Sequence, residues 1–193
     1  MTITINQKGG SYFIYKDLAD KNQDWEYYAV DISGGASWEA NEAKICDKDK
    51  KEVGYVWLNR RLFRTAQLQI ILTPLDKKPI EIIPKNVWNW KDLIWSFEFN
   101  NSKYVFQEHK GHYRSLYKND IQVAAFDKRT INLFENDVLR VYANKDEDVL
   151  LLSCLALYSD IGDFNRGSTV TVDFGNFNGS KPPLEGKWRP TKI

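Results

Sequence analysis

The two histidines of the chain, His109 and His112, are three positions apart and follow Glu108. On a helix this spacing would place both imidazoles on one face, where they could bind a metal ion. The pair falls between two predicted strands, however, and no cysteine or further histidine is near enough in sequence to complete a ligand set. We therefore predict no metal site, and we expect both histidines to be solvated loop side chains.

The sequence lacks the motifs of nucleophilic and nucleotide-dependent catalysis. It has no G-x-S-x-G nucleophile elbow, no G-x-G-x-x-G and no G-x-x-x-x-G-K-[ST] phosphate loop. Cys154 lies in an apolar run, and Cys46 is followed by Asp47 and Asp49, whose carboxylates oppose thiolate formation. These observations predict a protein that is not an enzyme, with no catalytic residue and no cofactor.

Carboxylates leave one enzymatic alternative open. A glycosidase dyad needs only two carboxylates that are close in space, so sequence separation does not exclude it. Aromatic residues make up 14% of the chain, a composition compatible with sugar binding. The alternative is a hydrolase acting on carbohydrate or another small substrate, and its candidate carboxylates are Glu39, Glu42, Glu98 and Glu108.

The densest cationic run is formed by Arg60, Arg61 and Arg64. Guanidinium groups bind phosphate bidentately, so this run is a candidate ligand-binding site for anionic lipid. The more common explanation is structural, because charged residues often flank a hydrophobic strand, here 68–72, and protect it from aggregation.

Three tryptophans, Trp88, Trp90 and Trp95, fall within eight positions, and Lys91 follows the second of them. Trp90 and Lys91 are candidate ligand-binding residues, because such clusters form stacking platforms or membrane-interface belts. Packing inside the protein is the more common role of clustered tryptophans.

The overall charge is balanced, with 27 basic and 26 acidic residues and a formal net charge of +1. A nucleic-acid-binding protein usually carries surplus Lys and Arg to neutralise phosphates, so we expect no nucleic-acid partner. The N-terminus lacks a basic segment followed by an apolar one, and two distant cysteines do not suggest a disulfide framework. We therefore expect a cytoplasmic protein.

Short alternating runs separated by Asn, Asp, Gly and Lys clusters predict a mainly β fold. Turn-forming residues at Asn100–Ser102, 118–120 and 47–51 predict tight hairpins and hence an antiparallel sheet. The predicted strands are 11–16, 25–32, 52–58, 62–73, 80–83, 93–99, 104–108, 113–118, 121–126, 130–134 and 138–143.

One segment breaks this pattern and predicts a helix at about 146–159, capped by Asn144 and with acidic residues in its first turn. It is apolar on nearly all sides and must be enclosed, yet it is too short to be a transmembrane segment. We predict an antiparallel barrel of about twelve strands around this helix, with a β-sandwich as the alternative. The predicted domain is 1–161, and 162–193 forms a Gly/Pro-rich extension.

The segment from Trp90 to Ile161 resembles the C-terminal half of the tubby C-terminal-like superfamily, which includes LURP-one-related and phospholipid-scramblase-like proteins. Residues 115–124 are similar to its strand with x-x-G-x-x-V-A, although Asn119–Asp120 replaces the glycine. Residues 136–142 are similar to its Y-x-L-x-V strand, and 146–160 to its acid-led apolar helix.

This resemblance implies a twelve-stranded barrel around a central helix and, in the tubby branch, phosphoinositide binding through basic surface side chains. Our expectation from the sequence is a non-catalytic binding module for an anionic membrane lipid surface or a protein partner. The undetected hydrolase and a structural or interaction protein remain as alternatives. Neither the ligand nor the oligomeric state follows from the sequence.

Overall fold

The computed structural model describes part of the chain. These are residues 1–8, 10–17, 24–31, 40–59, 67–72, 80–84, 94–109, 113–130, 138–162 and 188–190.

The described residues form a mainly β fold with one C-terminal helix, which confirms the predicted fold class at this level. The strands are β1 (Thr2–Lys8), β2 (Ser11–Lys16), β3 (Tyr27–Asp31), β4 (Ala40–Cys46), β5 (Glu52–Asn59), β6 (Gln67–Leu72), β7 (Ile80–Pro84), β8 (Ile94–Phe99), β9 (Ser102–Glu108), β10 (Tyr113–Lys118), β11 (Ile121–Thr130) and β12 (Val138–Ala143). The helix α1 spans Val149–Gly162.

The strands form one antiparallel sheet in which each strand pairs with its neighbours in the sequence. β1 also pairs with β12, with Ile3 opposite Val141, so the hydrogen-bonded order is that of a closed barrel. Among the described residues, β7 pairs with β8 through Ile83 with Ser96 and Pro84 with Trp95.

The predicted tight turns are confirmed by the backbone conformation. Asn100, Asn101, Asn119 and Asp120 all have positive φ, as a two-residue hairpin of type I′ requires at both central positions. In the turn between β4 and β5, the Asp47 carboxylate accepts hydrogen bonds from the backbone N–H groups of residues 49 and 51. These side chains therefore fix the hairpins, as the sequence predicted.

Two strands, β1 and β4, were not predicted. Their outward positions are strongly polar, and β4 has only small or modest apolar residues on its inner face, so its intrinsic β propensity is low. Ala43 and Ile45 are nonetheless fully buried, since pairing with strands on both sides forces β4 into the sheet. The predicted strand 130–134 overlaps the end of β11 at Thr130, and its remainder lies outside the described residues.

The helix begins later than predicted and has a different cap. Asp148 accepts a hydrogen bond from the N–H of Leu151 at 2.8 Å, and so occupies the N-cap position. The prediction that acidic residues fill the first turn was wrong, because they precede the helix. Asn144 is not the cap, since its N–H bonds to the carbonyl of Val123 on β11.

The helix is enclosed by the sheet. Every residue from Leu151 to Ser159 is buried, and α1 contacts β1, β4, β5, β6 and β12. On a further side, Trp95 of β8 and Phe106 of β9 make edge contacts with the ring of Tyr158. Within the described residues, no helix has both the length and the hydrophobicity needed to cross a bilayer.

Close approach between α1 and β5 requires a glycine at position 54. A Cβ atom on Gly54 would lie 3.3 Å from Leu150 Cδ1 and 3.5 Å from Cys154 Sγ, whereas one on Gly10 would meet nothing within 4 Å. We expect Gly54→Leu to lower the free energy of unfolding by about 1–3 kcal/mol through overpacking. Gly10→Leu is the matched control, and urea unfolding measures both. Equal effects of the two substitutions would contradict the close packing.

Candidate functional site

The predicted ligand-binding residues, Arg60, Arg61, Arg64, Trp90 and Lys91, all lie outside the described residues. The strand ends that flank these residues are described: Asn59 pairs with Gln67, and Pro84 pairs with Trp95. Both pairs lie at the end of the sheet opposite the start of α1. We call this the far end, and the end at which α1 begins the near end.

The interior of the sheet is filled. Inward side chains of the strands and the side chains of α1 form one continuous apolar cluster. Its largest fully buried members include Trp95, Phe106 and Phe126. A ligand of the described part of the protein must therefore meet its outer surface or its ends.

A buried carboxylate dominates the near end. Glu147, whose side chain is 2% exposed, lies 3.4 Å from the Lys118 ammonium and accepts a hydrogen bond of 3.3 Å from the Tyr104 hydroxyl. The ammonium also lies 5.7 Å from the centre of the Tyr104 ring. Burial and the Glu147 charge raise the pKa of the Tyr104 hydroxyl. This cluster attaches the segment before α1 to β9 and β10, so its role is structural.

A shallow depression of about 360 Å³ also opens at the near end. Charged side chains of both signs line it, which does not favour a ligand of either charge. The Asp17 carboxylate is already engaged, because it accepts a hydrogen bond of 2.7 Å from the N–H of Thr2. The lining residues are Lys16, Asp17, Asp24, Glu26 and Lys48.

Three polar side chains, one after the end of β9, one on β10 and one on β11, form a hydrogen-bonded network that we call the polar cluster: His109, Ser115 and Gln122. The Ser115 hydroxyl lies 2.9 Å from Nε2 of His109 and accepts a hydrogen bond of 3.1 Å from the Gln122 amide. All three are buried, with exposures of 3%, 0% and 8%. The prediction that His109 is a solvated loop side chain was therefore wrong. His112 lies outside the described residues.

The register of the strands brings these residues together, although no sequence motif contains them. Ser115 is opposite Gln107 on β9, and alternation along β9 places position 109 on the same face. Considering His109 and His112 only as a pair does not reveal this relation. A serine within hydrogen-bond distance of a histidine is also the contact that nucleophilic catalysis requires.

The geometry does not favour a working nucleophile in this conformation. Ser115 has no exposed surface, and its oxygen already accepts the Gln122 N–H. An attacking hydroxyl must be able to reach its substrate. The polar cluster therefore acts here as a structural network in which each hydroxyl and imidazole group has a partner.

The proposed carboxylate dyads are not assembled among the described candidates. Glu108 pairs with Arg114 at 3.5 Å inside the far end. Glu98 is opposite Lys103, five residues from Glu108 along β9, which corresponds to about 17 Å and exceeds the separation that glycosidases use. Glu42 accepts a hydrogen bond from the Tyr55 hydroxyl at 2.7 Å. Glu39 lies outside the described residues.

The remaining candidates have structural roles where the structure describes them. Trp95 is 2% exposed and belongs to the core, which agrees with the packing interpretation; Trp88 and Trp90 lie outside the described part. Cys46 and Cys154 are both free, and complete burial raises the pKa of the Cys154 thiol. No group of three His, Cys, Asp or Glu side chains among the described residues could hold a metal ion.

Comparisons with protein-family models, with curated proteins and with solved structures found no match for this chain. The resemblance to the tubby C-terminal-like superfamily therefore rests on the sequence patterns given above.

Raised tyrosine pKa values predict loss of stability in alkali. Burial is the largest cause at Tyr104 and at Tyr55, where the hydrogen bond to Glu42 adds to it. The folded state then holds these protons at pH values where the unfolded state, with an ordinary pKa of 10.0, releases them. Stability is fully present below pH 10 and falls as the pH rises above it.

We expect the free energy of unfolding, measured in urea, to decrease from pH 9 to pH 11. Tyr104→Phe should reduce this decrease, and Tyr142→Phe, which alters an exposed side chain, is the control. An unchanged pH dependence in Tyr104→Phe would show that this hydroxyl does not contribute.

Proposed function

We propose that this chain is a non-catalytic binding module with a tubby C-terminal-like barrel. Its ligand in this proposal is an anionic lipid head group, recognised at the far end by Arg60, Arg61, Arg64, Trp90 and Lys91. The observation that carries the proposal is the filled interior: α1 and the inward side chains leave binding to the surface and to the segments that connect the strands.

The candidate residues belong to two connections between strands that end at the far end. At the near end, β4 joins β5, β8 joins β9 and β10 joins β11 through tight turns fixed by Asn and Asp. The far-end connections 60–66 and 85–93 are longer and contain the arginine run and the tryptophan pair. Connecting segments on a rigid sheet commonly carry binding residues.

The residue types also fit an anionic lipid. Arginine binds phosphate through two parallel hydrogen bonds, and each basic residue near an anionic membrane contributes about 1 kcal/mol. Tryptophan favours the depth of the lipid head groups, because its ring is apolar and its N–H is polar. A balanced net charge is compatible with this, since the attraction needs only a local basic patch.

Co-sedimentation with vesicles tests the proposal. We expect salt-sensitive binding to anionic vesicles and no binding to neutral ones. Replacing Arg60, Arg61 and Arg64 with Ala should weaken binding about 100-fold, the sum of about 1 kcal/mol for each charge. The melting temperature should hardly change.

The matched control replaces Lys48, Lys51 and Lys103 with Ala, which removes the same charge from exposed near-end positions. Equal losses in the two triple variants would indicate a general charge effect and overturn the assigned site. Binding of neither vesicle type would favour a protein partner, and aggregation of the arginine variant would identify these residues as protective charges.

A hydrolase is the second candidate function, and the contact of 2.9 Å between Ser115 Oγ and His109 Nε2 supports it. Because Ser115 is fully buried, we expect no labelling of the native protein by a fluorophosphonate probe. Ser115→Ala is the control for site assignment by mass spectrometry. Labelling at Ser115 that requires His109 would establish a nucleophile and overturn the non-catalytic proposal.

A further inference from the structure

The polar cluster lies on the outer face of the sheet. Ser115 is next to Leu116, whose side chain is fully buried in the core, and successive side chains of a strand alternate between faces. Gln122 is opposite Tyr117, which shares the face of Ser115, and its amide reaches the Ser115 hydroxyl. Polar side chains on the outer face of a sheet are normally exposed to water, whereas these three are buried.

The C-terminal segment reaches this face. The indole N–H of Trp188 donates a hydrogen bond of 3.1 Å to the backbone carbonyl of Gln122, and the indole is half-buried. The register between β10 and β11 shifts between Leu116 and Tyr117, beside Gln122. Such irregularities release backbone groups from the regular ladder, and here the carbonyl of Gln122 is available to an indole donor.

One atom of the polar cluster is unsatisfied. Oε1 of Gln122 is buried without a hydrogen-bond partner, although the same amide donates to the Ser115 hydroxyl and to the carbonyl of Ala124. A buried acceptor without a donor lowers stability by about 1–3 kcal/mol. The buried arrangement is therefore less stable than one in which Oε1 of Gln122 also had a donor.

We propose that the outer face of β9, β10 and β11 is a binding site for a tryptophan-bearing peptide segment, and that Trp188–Pro190 occupy it as an intramolecular ligand. The segment shields the polar cluster while it is bound. A copy of the same segment supplied as a free peptide binds the site once Trp188 is removed. This inference is independent of the lipid proposal, which concerns different residues.

The chain has two histidines, so modification at His109 can be distinguished from modification at the other histidine. Modification by diethyl pyrocarbonate, located by mass spectrometry, reports the accessibility of His109 alone. We expect Trp188→Ala to increase the rate at His109 about tenfold or more, because the cluster then opens to solvent. Trp25→Ala, which removes a half-buried indole beside Phe13 and Tyr28, is the matched control and should leave the rate unchanged.

Trp188→Phe keeps an aromatic ring but loses the N–H donor, so its rate should be intermediate. This variant also decides the question if Trp188→Ala does not fold: faster modification than in the wild type supports the site. An unchanged rate at His109 in a folded Trp188 variant would overturn the proposal.

A fluorescent peptide of residues 184–193 tests the ligand directly. It should bind the Trp188→Ala protein, and bind the wild type at least about tenfold more weakly, since the attached segment competes at high effective concentration. A peptide with Ala in place of Trp188 should not bind. Equal binding to both proteins, or binding to neither, would overturn the proposed site.

Discussion

The structure depends on the need to remove one helix from water. Leu151, Leu152, Leu155 and Leu157 lie on different sides of α1, so no orientation on a flat sheet would cover all of them. A sheet whose first strand pairs with its last covers every side of the helix. The strand order, the alternation of inward side chains and the glycine opposite Cys154 follow from this requirement. Because the interior is filled with protein side chains, a ligand of the described part must bind at the outer surface or at the ends of the sheet.

Polar groups at the two ends of α1 are satisfied in different ways. At the near end, the Glu147 carboxylate is held by Lys118 and Tyr104, so a buried charge has both a cation and a hydrogen-bond donor. At the far end, the Arg114 guanidinium lies 3.5 Å from the Glu108 carboxylate inside the sheet. On the outer face, the members of the polar cluster are hydrogen-bonded to one another.

The sequence predicted the features that are determined locally, and less well those determined by distant contacts. Asn100–Asn101 and Asn119–Asp120 revealed their turns, because few residues adopt positive φ. β4 was missed because its place depends on strands on either side, and Asn144 was taken for the cap because several polar residues precede α1. The relation of Ser115 to His109 requires the register of two strands, and the contact of Trp188 with β11 joins residues that are 66 positions apart.

The position of α1 after all the strands has a consequence for synthesis of the protein. The strands leave the ribosome before the helix that covers their apolar faces. β1 cannot pair with β12 until β12 has been synthesised. During that interval the inward residues of a partly made sheet have no partner, and the contacts that bury them are distant in sequence. The growing chain therefore exposes apolar surface until Val149–Gly162 has emerged and can cover it.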